Sequence, residues 1–191
     1  MLIGLYFGTF NPIHVGHMVI ANHMVENSNL DQVWFVVTPH NPFKKKSTLL
    51  NDYHRLDIVN EAIVDYPKLR SSDIEFHLSQ PNYTYKTLAV LEEKYPMHEF
   101  SLIMGEDNLD NFHKWKNQEN IISNHKLFVY PRPNSGNSEY SNHDNVTLIK
   151  DAPLMEISAT SIRKGIKDGK NISPLLPEGI WKYIDKEGFY K

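Results

Sequence analysis

An apolar run short enough for one buried strand, Leu2 to Phe7, leads into Gly8-Thr9-Phe10-Asn11-Pro12-Ile13-His14-Val15-Gly16-His17 and then into a helical pattern. Ile20, Ala21, Met24 and Val25 are spaced to cover one side of that helix. A strand that turns through a tight loop directly into a helix leaves free backbone N–H groups at the helix N-terminus, a ready site for an anionic phosphate. Pro12 has no N–H and a fixed φ, so it belongs to the turn. His14 and His17 stand three apart, which points both rings the same way on the first helical turn. Two imidazoles at such a helix end suggest phosphoryl chemistry. On the residues alone they also fit a zinc fragment or a solvated helix face. Zinc is the weaker option: a structural site takes about four ligands, the chain has no cysteine, and its other histidines show no complementary spacing.

The 191 residues suffice for one domain with a substantial core. A net charge of −3 argues against nucleic-acid binding by charge alone. The absence of cysteine excludes disulfides and fits a reducing compartment. There is no basic N-terminal region, and the first apolar run is too short for a signal or membrane segment. The chain is therefore expected to be cytoplasmic, without membrane or nucleic-acid partners. Its oligomeric state stays open, a homo-oligomer included. Arg132 to Asn145, rich in Asn, Ser and Gly, reads as a mobile loop.

Further strands are expected at Val33–Thr38, Leu69–Leu78, Phe100–Met104, Lys126–Tyr130 and Val146–Lys150. Asn51–Tyr66 reads as an amphipathic helix with Leu56, Val59, Ala62 and Ile63 inward and Arg55 as a surface charge. A second helix opens after Asn82-Tyr83-Thr84, where Asn82 or Thr84 can act as cap. A third opens at Ile157-Ser158-Ala159-Thr160-Ser161-Ile162-Arg163, with Ser158 or Thr160 as cap. Hydroxyls, free N–H groups and a guanidinium at that start also suit a triphosphate. Lys44, Lys45 and Lys46 follow the end of a buried strand, where open α/β sheets bind ligands, although a lysine run is more often a solvated loop. No GxxxxGK[ST] or GxGxxG pattern is present.

The decapeptide resembles the T/HxGH signature of the nucleotidylyltransferase superfamily, and its form GTFNPIHVGH is similar to the bacterial nicotinate-nucleotide adenylyltransferase branch. That branch often has Gly-Gly and Asp where this chain has Phe7-Gly8 and Asn11. The segment from Ile157 to Arg163 resembles the family's Ile-Ser-Ser-Thr-x-Ile-Arg, with Ala159 in place of the second serine. Weaker likenesses join these two, and together they span essentially the whole chain. Lys44 matches the lysine of a Pro-Pro-His-Lys segment that reaches the phosphates, and Tyr83 and Thr84 match a Ser-Tyr-Thr segment whose backbone meets the pyridine carboxylate. Asp107 and Trp115 keep the family's eight-residue spacing between a ribose-binding carboxylate and a ring-stacking tryptophan. Pro131-Arg132-Pro133 resembles an Arg-Pro turn near the adenine, and Gly188-Phe189-Tyr190 matches the family's ending.

The resemblance implies a single Rossmann-like α/β domain over residues 1–191, with a mostly parallel sheet flanked by helices. It also implies transfer of AMP from ATP to nicotinate mononucleotide, releasing pyrophosphate. His14, His17 and Lys44 would carry the catalysis. Gly8, Thr9, Phe10, His17, Ser158, Thr160 and Arg163 would bind ATP, and Tyr83, Thr84, Asp107 and Trp115 the acceptor. Mg²⁺ is expected on the nucleotide phosphates rather than on a protein metal site, and NAD relates to the product rather than to a cofactor. Two alternatives stand beside this. One is a superfamily member that adenylylates phosphopantetheine or nicotinamide mononucleotide, and the other is a nucleotide-binding regulator without turnover.

Overall fold

Strand β1 (Leu2–Gly8) lies at the middle of a six-stranded sheet because its residues are apolar on both sides. Ile3 and Leu5 enter one core cluster and Tyr6 the other. A computed structural model describes residues 1–39 and 49–191. It orders the strands β3-β2-β1-β4-β5-β6, with β2 at Gln32–Val37, β3 at Leu69–Ser72, β4 at Glu99–Gly105, β5 at Leu127–Tyr130 and β6 at Val146–Leu148. Every neighbouring pair is parallel, so the expectation of a mostly parallel sheet becomes an all-parallel one. Leu5 sits opposite Trp34 of β2 on one side and Leu102 of β4 on the other. The chain winds outward from β1 through β2 and β3, then returns to β4 on the opposite flank. Crossovers of this kind cover both faces with helices and open a crevice at the carboxyl ends of β1 and β4.

The helices are α1 (Val15–Glu26), α2 (Asp52–Ile63), α3 (Thr84–Lys94), α4 (Glu106–Asp110), α5 (Gln118–Asn124), α6 (Ala159–Lys167) and α7 (Ile180–Lys186). Helix α1 buries Ile20, Ala21, Met24 and Val25, the stripe expected from their spacing. None of the helices is long and apolar enough to cross a membrane among the described residues.

Three expectations change. The stretch 69–78 is a strand only to Ser72 and then a 3-10 turn at Ile74–His77. Ser72 Oγ accepts the Ile74 N–H at 3.3 Å, and the Phe76 N–H bonds Asp73 C=O at 2.8 Å, so local bonds displace the ladder. The stretch 132–145 is tethered rather than loose. Gly136 N–H bonds Asp110 Oδ2, Ser138 Oγ bonds Leu109 C=O and caps a 3-10 turn at Glu139–Asn142, and the Tyr140 ring meets Phe112 edge-on at 5.4 Å. Arg55, expected on the surface, is fully buried, whereas Leu56 only packs against the core from the partly buried side. The Arg55 guanidinium donates to the carbonyls of Leu50, Thr9 and Thr38 and pairs with Asp52. It thereby joins the loops after β1 and β2 to the start of α2. Removing it would break the bonds to all three carbonyls at once and leave Asp52 without its guanidinium partner.

Candidate active site

The loop between β1 and α1 forms one wall of a cavity of about 350 Å³ at the carboxyl ends of β1 and β5. Gly8, Thr9, Phe10, His14, His17 and Ser158 all line it. Phe10 is 2% exposed and turns its ring inward, edge-on to Tyr6, Phe35 and His17. A Cβ on residue 8 would stand 2.9 Å from that ring, so only glycine fits there. Likewise a Cβ on residue 16 would stand 3.1 Å from the His14 ring, so Gly16 lets that ring lie over the helix start.

The two imidazoles stack with centroids 3.7 Å apart. The His14 backbone N–H donates to His17 Nδ1 at 3.2 Å, which makes that nitrogen the acceptor and puts the ring proton on Nε2, a donor with no partner among the described residues. His14 Nδ1 is buried with no hydrogen-bond partner among the described residues. Burial holds His14 down to about 4, helped by the Arg132 guanidinium. Burial likewise depresses His17 well below the ordinary histidine range, with smaller contributions from His14 and Arg132. Both rings are therefore neutral at pH 7 and act as hydrogen-bonding groups.

Helix α6 closes the opposite side. Its N-cap is Ser158, whose Oγ accepts the Ser161 N–H at 3.1 Å; Thr160 lies inside the first turn. Ser158 and Ala159 line the cavity, so the N-termini of α1 and α6 face one space. Arg163 Nη1 donates to the Asn11 carbonyl at 2.7 Å, and Nη2 reaches Thr160 Oγ1 at 3.2 Å. The guanidinium expected to bind a triphosphate thus also braces the loop. Among the described residues, the Oδ1 of Asn11, which is 4% exposed, accepts from Leu50 N–H and the Tyr190 hydroxyl.

Arg132, named in sequence only as part of a turn, lines the cavity and stands over the Tyr130 ring at 5.2 Å. Nη1 bonds the Met155 carbonyl at 3.3 Å, and Nε lies 3.6 Å from Asp107 Oδ1, which brings Asp107 to the cavity's rim. The signal for it was available: an arginine between two prolines directly after a buried strand leaves that strand's carboxyl end pointing at the crevice. Tyr6 belongs here too. Its hydroxyl meets that of Tyr130 at 3.1 Å, and burial raises its pKa far above the usual phenol value.

Tyr83, Thr84 and Trp115 form a second group outside this cavity. Tyr83, rather than Asn82 or Thr84, is the N-cap of α3, with no side chain among the described residues capping the first turn. Asn82 instead donates to the Glu75 carbonyl at 2.9 Å. Lys116 Nζ lies 4.8 Å over the Tyr83 ring, so the Trp115 segment borders the α3 start. Trp115 is half-buried against Phe112, with ring centroids 5.3 Å apart. Lys44, with Lys45 and Lys46, lies outside the described residues.

An all-parallel 321456 sheet with two helix N-termini and a histidine pair at its switch point defines a nucleotide-binding α/β protein. Residues 5–165 match the Cytidylyltransferase-like family, and the chain belongs to it. A relative from Flavobacterium psychrophilum, named "Probable nicotinate-nucleotide adenylyltransferase", is 64% identical over 100% of both chains. One of the same name from Christiangramia forsetii is 59% identical over 99% of this chain and 98% of its own. Among solved structures, Plasmodium falciparum nicotinic acid mononucleotide adenylyltransferase complexed with NaAD aligns with a TM-score of 0.81 at 23% identity, covering 99% of this chain and 97% of that one. At that identity the likeness shows the fold.

Proposed function

We propose that this chain is a nicotinate-nucleotide adenylyltransferase, joining the AMP of ATP to nicotinate mononucleotide to give nicotinate adenine dinucleotide and pyrophosphate. The observation that carries the reading is the convergence of two helix N-termini and the stacked His14–His17 pair on one cavity. Full-length relatives of that name support the choice of substrates.

The acceptor's phosphate oxygen attacks the α-phosphorus of ATP, and the bond from that phosphorus to the β-phosphate oxygen breaks, releasing pyrophosphate. The nucleophile is already an anion, so the chain needs no general base. Catalysis reduces to alignment and to stabilising charge on the α-phosphate oxygens. His17 Nε2–H is the donor aimed there, and His14 with the Thr9 loop orients the two phosphates. The α6 N-terminus, with Ser158 and Thr160, receives the distal phosphates, while Arg163 and Arg132 neutralise them; Lys44 adds a third cation in this reading. Asp107 accepts from ribose hydroxyls at the rim. Uncapped N–H groups at the α3 start receive the pyridine carboxylate, and Trp115 flanks the ring. Among the described residues no cluster of three or more His, Cys, Asp or Glu could hold a metal. Mg²⁺, which usually binds through substrate phosphates and keeps several waters, would ride on the nucleotide and offset phosphate charge.

The test is pyrophosphate release from ATP with nicotinate and nicotinamide mononucleotides side by side. An amide in place of the carboxylate leaves those helix-start donors, covered once the ring is bound, poorly matched, at roughly 1–3 kcal/mol each. A kcat/KM ratio of about a hundred in favour of nicotinate mononucleotide is expected. Equal turnover refutes the acceptor assignment, and turnover with neither refutes the activity.

A further inference from the structure

We propose that residues 188–190 act as a latch on the loop Gly8–Asn11, with Tyr190 as a positioning residue working through Asn11. The loop is strained at its centre, because Phe10 has φ +44 and left-handed backbone is unfavourable for a bulky residue. Such a conformation persists only where its surroundings hold it on both sides. On one side Arg55 Nη1 fixes the Thr9 carbonyl. On the other, described residues grip Asn11 at its carbonyl and its side-chain oxygen. Its carbonyl accepts from Arg163 at 2.7 Å, and its Oδ1 accepts from Leu50 N–H at 3.2 Å and from the Tyr190 hydroxyl at 2.8 Å.

Tyr190 is delivered by a local fold of its own. Gly188 at φ +69 and Tyr190 at φ +68 turn the backbone after α7. Phe189 pins the turn by packing on His54 at 5.0 Å and Tyr183 at 5.9 Å, while its N–H bonds Ile184 C=O at 3.0 Å. Burial raises the Tyr190 phenol, so the hydroxyl keeps its proton and remains a donor throughout the neutral range. A contact between residues 179 positions apart thus sets the loop that lines the cavity.

The proposal rests on the adenylyltransferase reading only for its kinetic readout. Tyr190→Phe removes one hydroxyl and keeps the ring. In the ligand-free protein, exchange of the amides bonded to the loop, the Thr38 N–H on the Gly8 carbonyl and the Leu50 N–H on Asn11 Oδ1, should accelerate about tenfold, the scale of one lost hydrogen bond, while amides of β5 keep their wild-type rates. With ATP and nicotinate mononucleotide, kcat should fall about tenfold, with both KM values within about twofold. In an Asn11→Ala background the same replacement should have no further effect on either readout. Unchanged loop exchange, exchange accelerated uniformly across the sheet, or a kcat loss that adds in full to that of Asn11→Ala each overturns the latch. Should Asn11→Ala fail to fold, the contrast between loop and β5 exchange in Tyr190→Phe still decides. Should the wild-type protein turn over neither acceptor, the activity falls and the exchange result alone judges the latch.

Discussion

Phe10 and Trp115 are both aromatic residues beside a proposed substrate, yet they are held in opposite ways. Phe10 is buried, conformationally strained and flanked by residues whose carbonyls accept from Arg55 and Arg163. Trp115 is half-buried, leans on Phe112 and has a lysine-over-tyrosine contact as its neighbour. The proposed phosphate side of the site is therefore backbone held by long-range hydrogen bonds, whereas the proposed pyridine side is a surface of side chains near one helix start. In the proposed reaction charge develops on the first side, where donors must stay fixed as the barrier is crossed. The second would recognise a ring that does not react, through contact area on the ring and N–H groups at one helix start for its carboxylate.

This division predicts that lesions on the phosphate side lower kcat and those on the pyridine side raise KM. The largest effect is expected from His17→Ala. Its Nε2–H strengthens its bond only as charge builds on the α-phosphate, and loss of one preorganised donor costs about 10²–10³ in kcat. The variant should bind ATP within a fewfold of wild type by calorimetry; near-full kcat would make His17 an ordinary helix residue. Arg163→Ala comes next. Loss of a charge-assisted bond is worth about 1.5–3 kcal/mol, so ATP affinity should weaken roughly 10- to 150-fold. Because Arg163 also braces Asn11, kcat should fall with it. Unchanged ATP affinity would remove α6 from the triphosphate site.

A smaller effect sharpens the comparison through pH. His14 is lowered from 6.5 to about 4 in the folded protein, so between these values the unfolded chain binds more protons. Stability linked to His14 is therefore complete above pH 6.5 and is lost as pH falls toward 4. At pH 5 the loss amounts to about 2 kcal/mol, or roughly thirtyfold in the folded-to-unfolded ratio. Glu75, 3% exposed and raised by burial, contributes in the opposite sense, its penalty growing as pH rises. The measurement is accordingly a difference: urea midpoints at pH 7.5 and pH 5 for wild type and His14→Gln. A gap between the two proteins that does not change with pH would contradict the burial of a neutral imidazole.

Much of the phosphate side was legible in sequence because its signals are local. A buried strand, a Gly-Thr-Phe-Asn-Pro turn and histidines three apart on a helix start specify strand, loop and helix without reference to the rest of the chain. Ser158 as a helix cap is equally local. What was not legible depends on convergence. Arg55 sits among polar and charged residues and looks like a surface charge, because nothing nearby reveals that the carbonyls of Thr9, Thr38 and Leu50 meet it. The 132–145 stretch looked loose because one tyrosine and one capping serine, packed on residues near 110, tether a segment otherwise without apolar residues. Asn11 and Tyr190 each have a motif around them, but their contact exists only in three dimensions.

Trp115→Ala is the mildest lesion and the one that most directly opposes the two sides. Its ring is partly buried against Phe112, so truncation removes some packing in the second core cluster as well as any stack on the pyridine. Stacking beyond area burial is worth about 0.5–1.5 kcal/mol, and with the lost contact area KM for the pyridine nucleotide should rise about tenfold. Since Trp115 does not line the cavity that holds the histidines, KM for ATP should stay within about twofold and kcat should change little. Trp115→Phe keeps a flat ring and should recover most of the acceptor affinity, which separates stacking from packing. If Trp115→Ala instead loses thermal stability while both KM values hold in the folded fraction, Trp115 is a core residue. The pyridine side then rests on the α3 start alone, and the contrast between a rigid phosphate side and a contact-built acceptor side fails at its most exposed point.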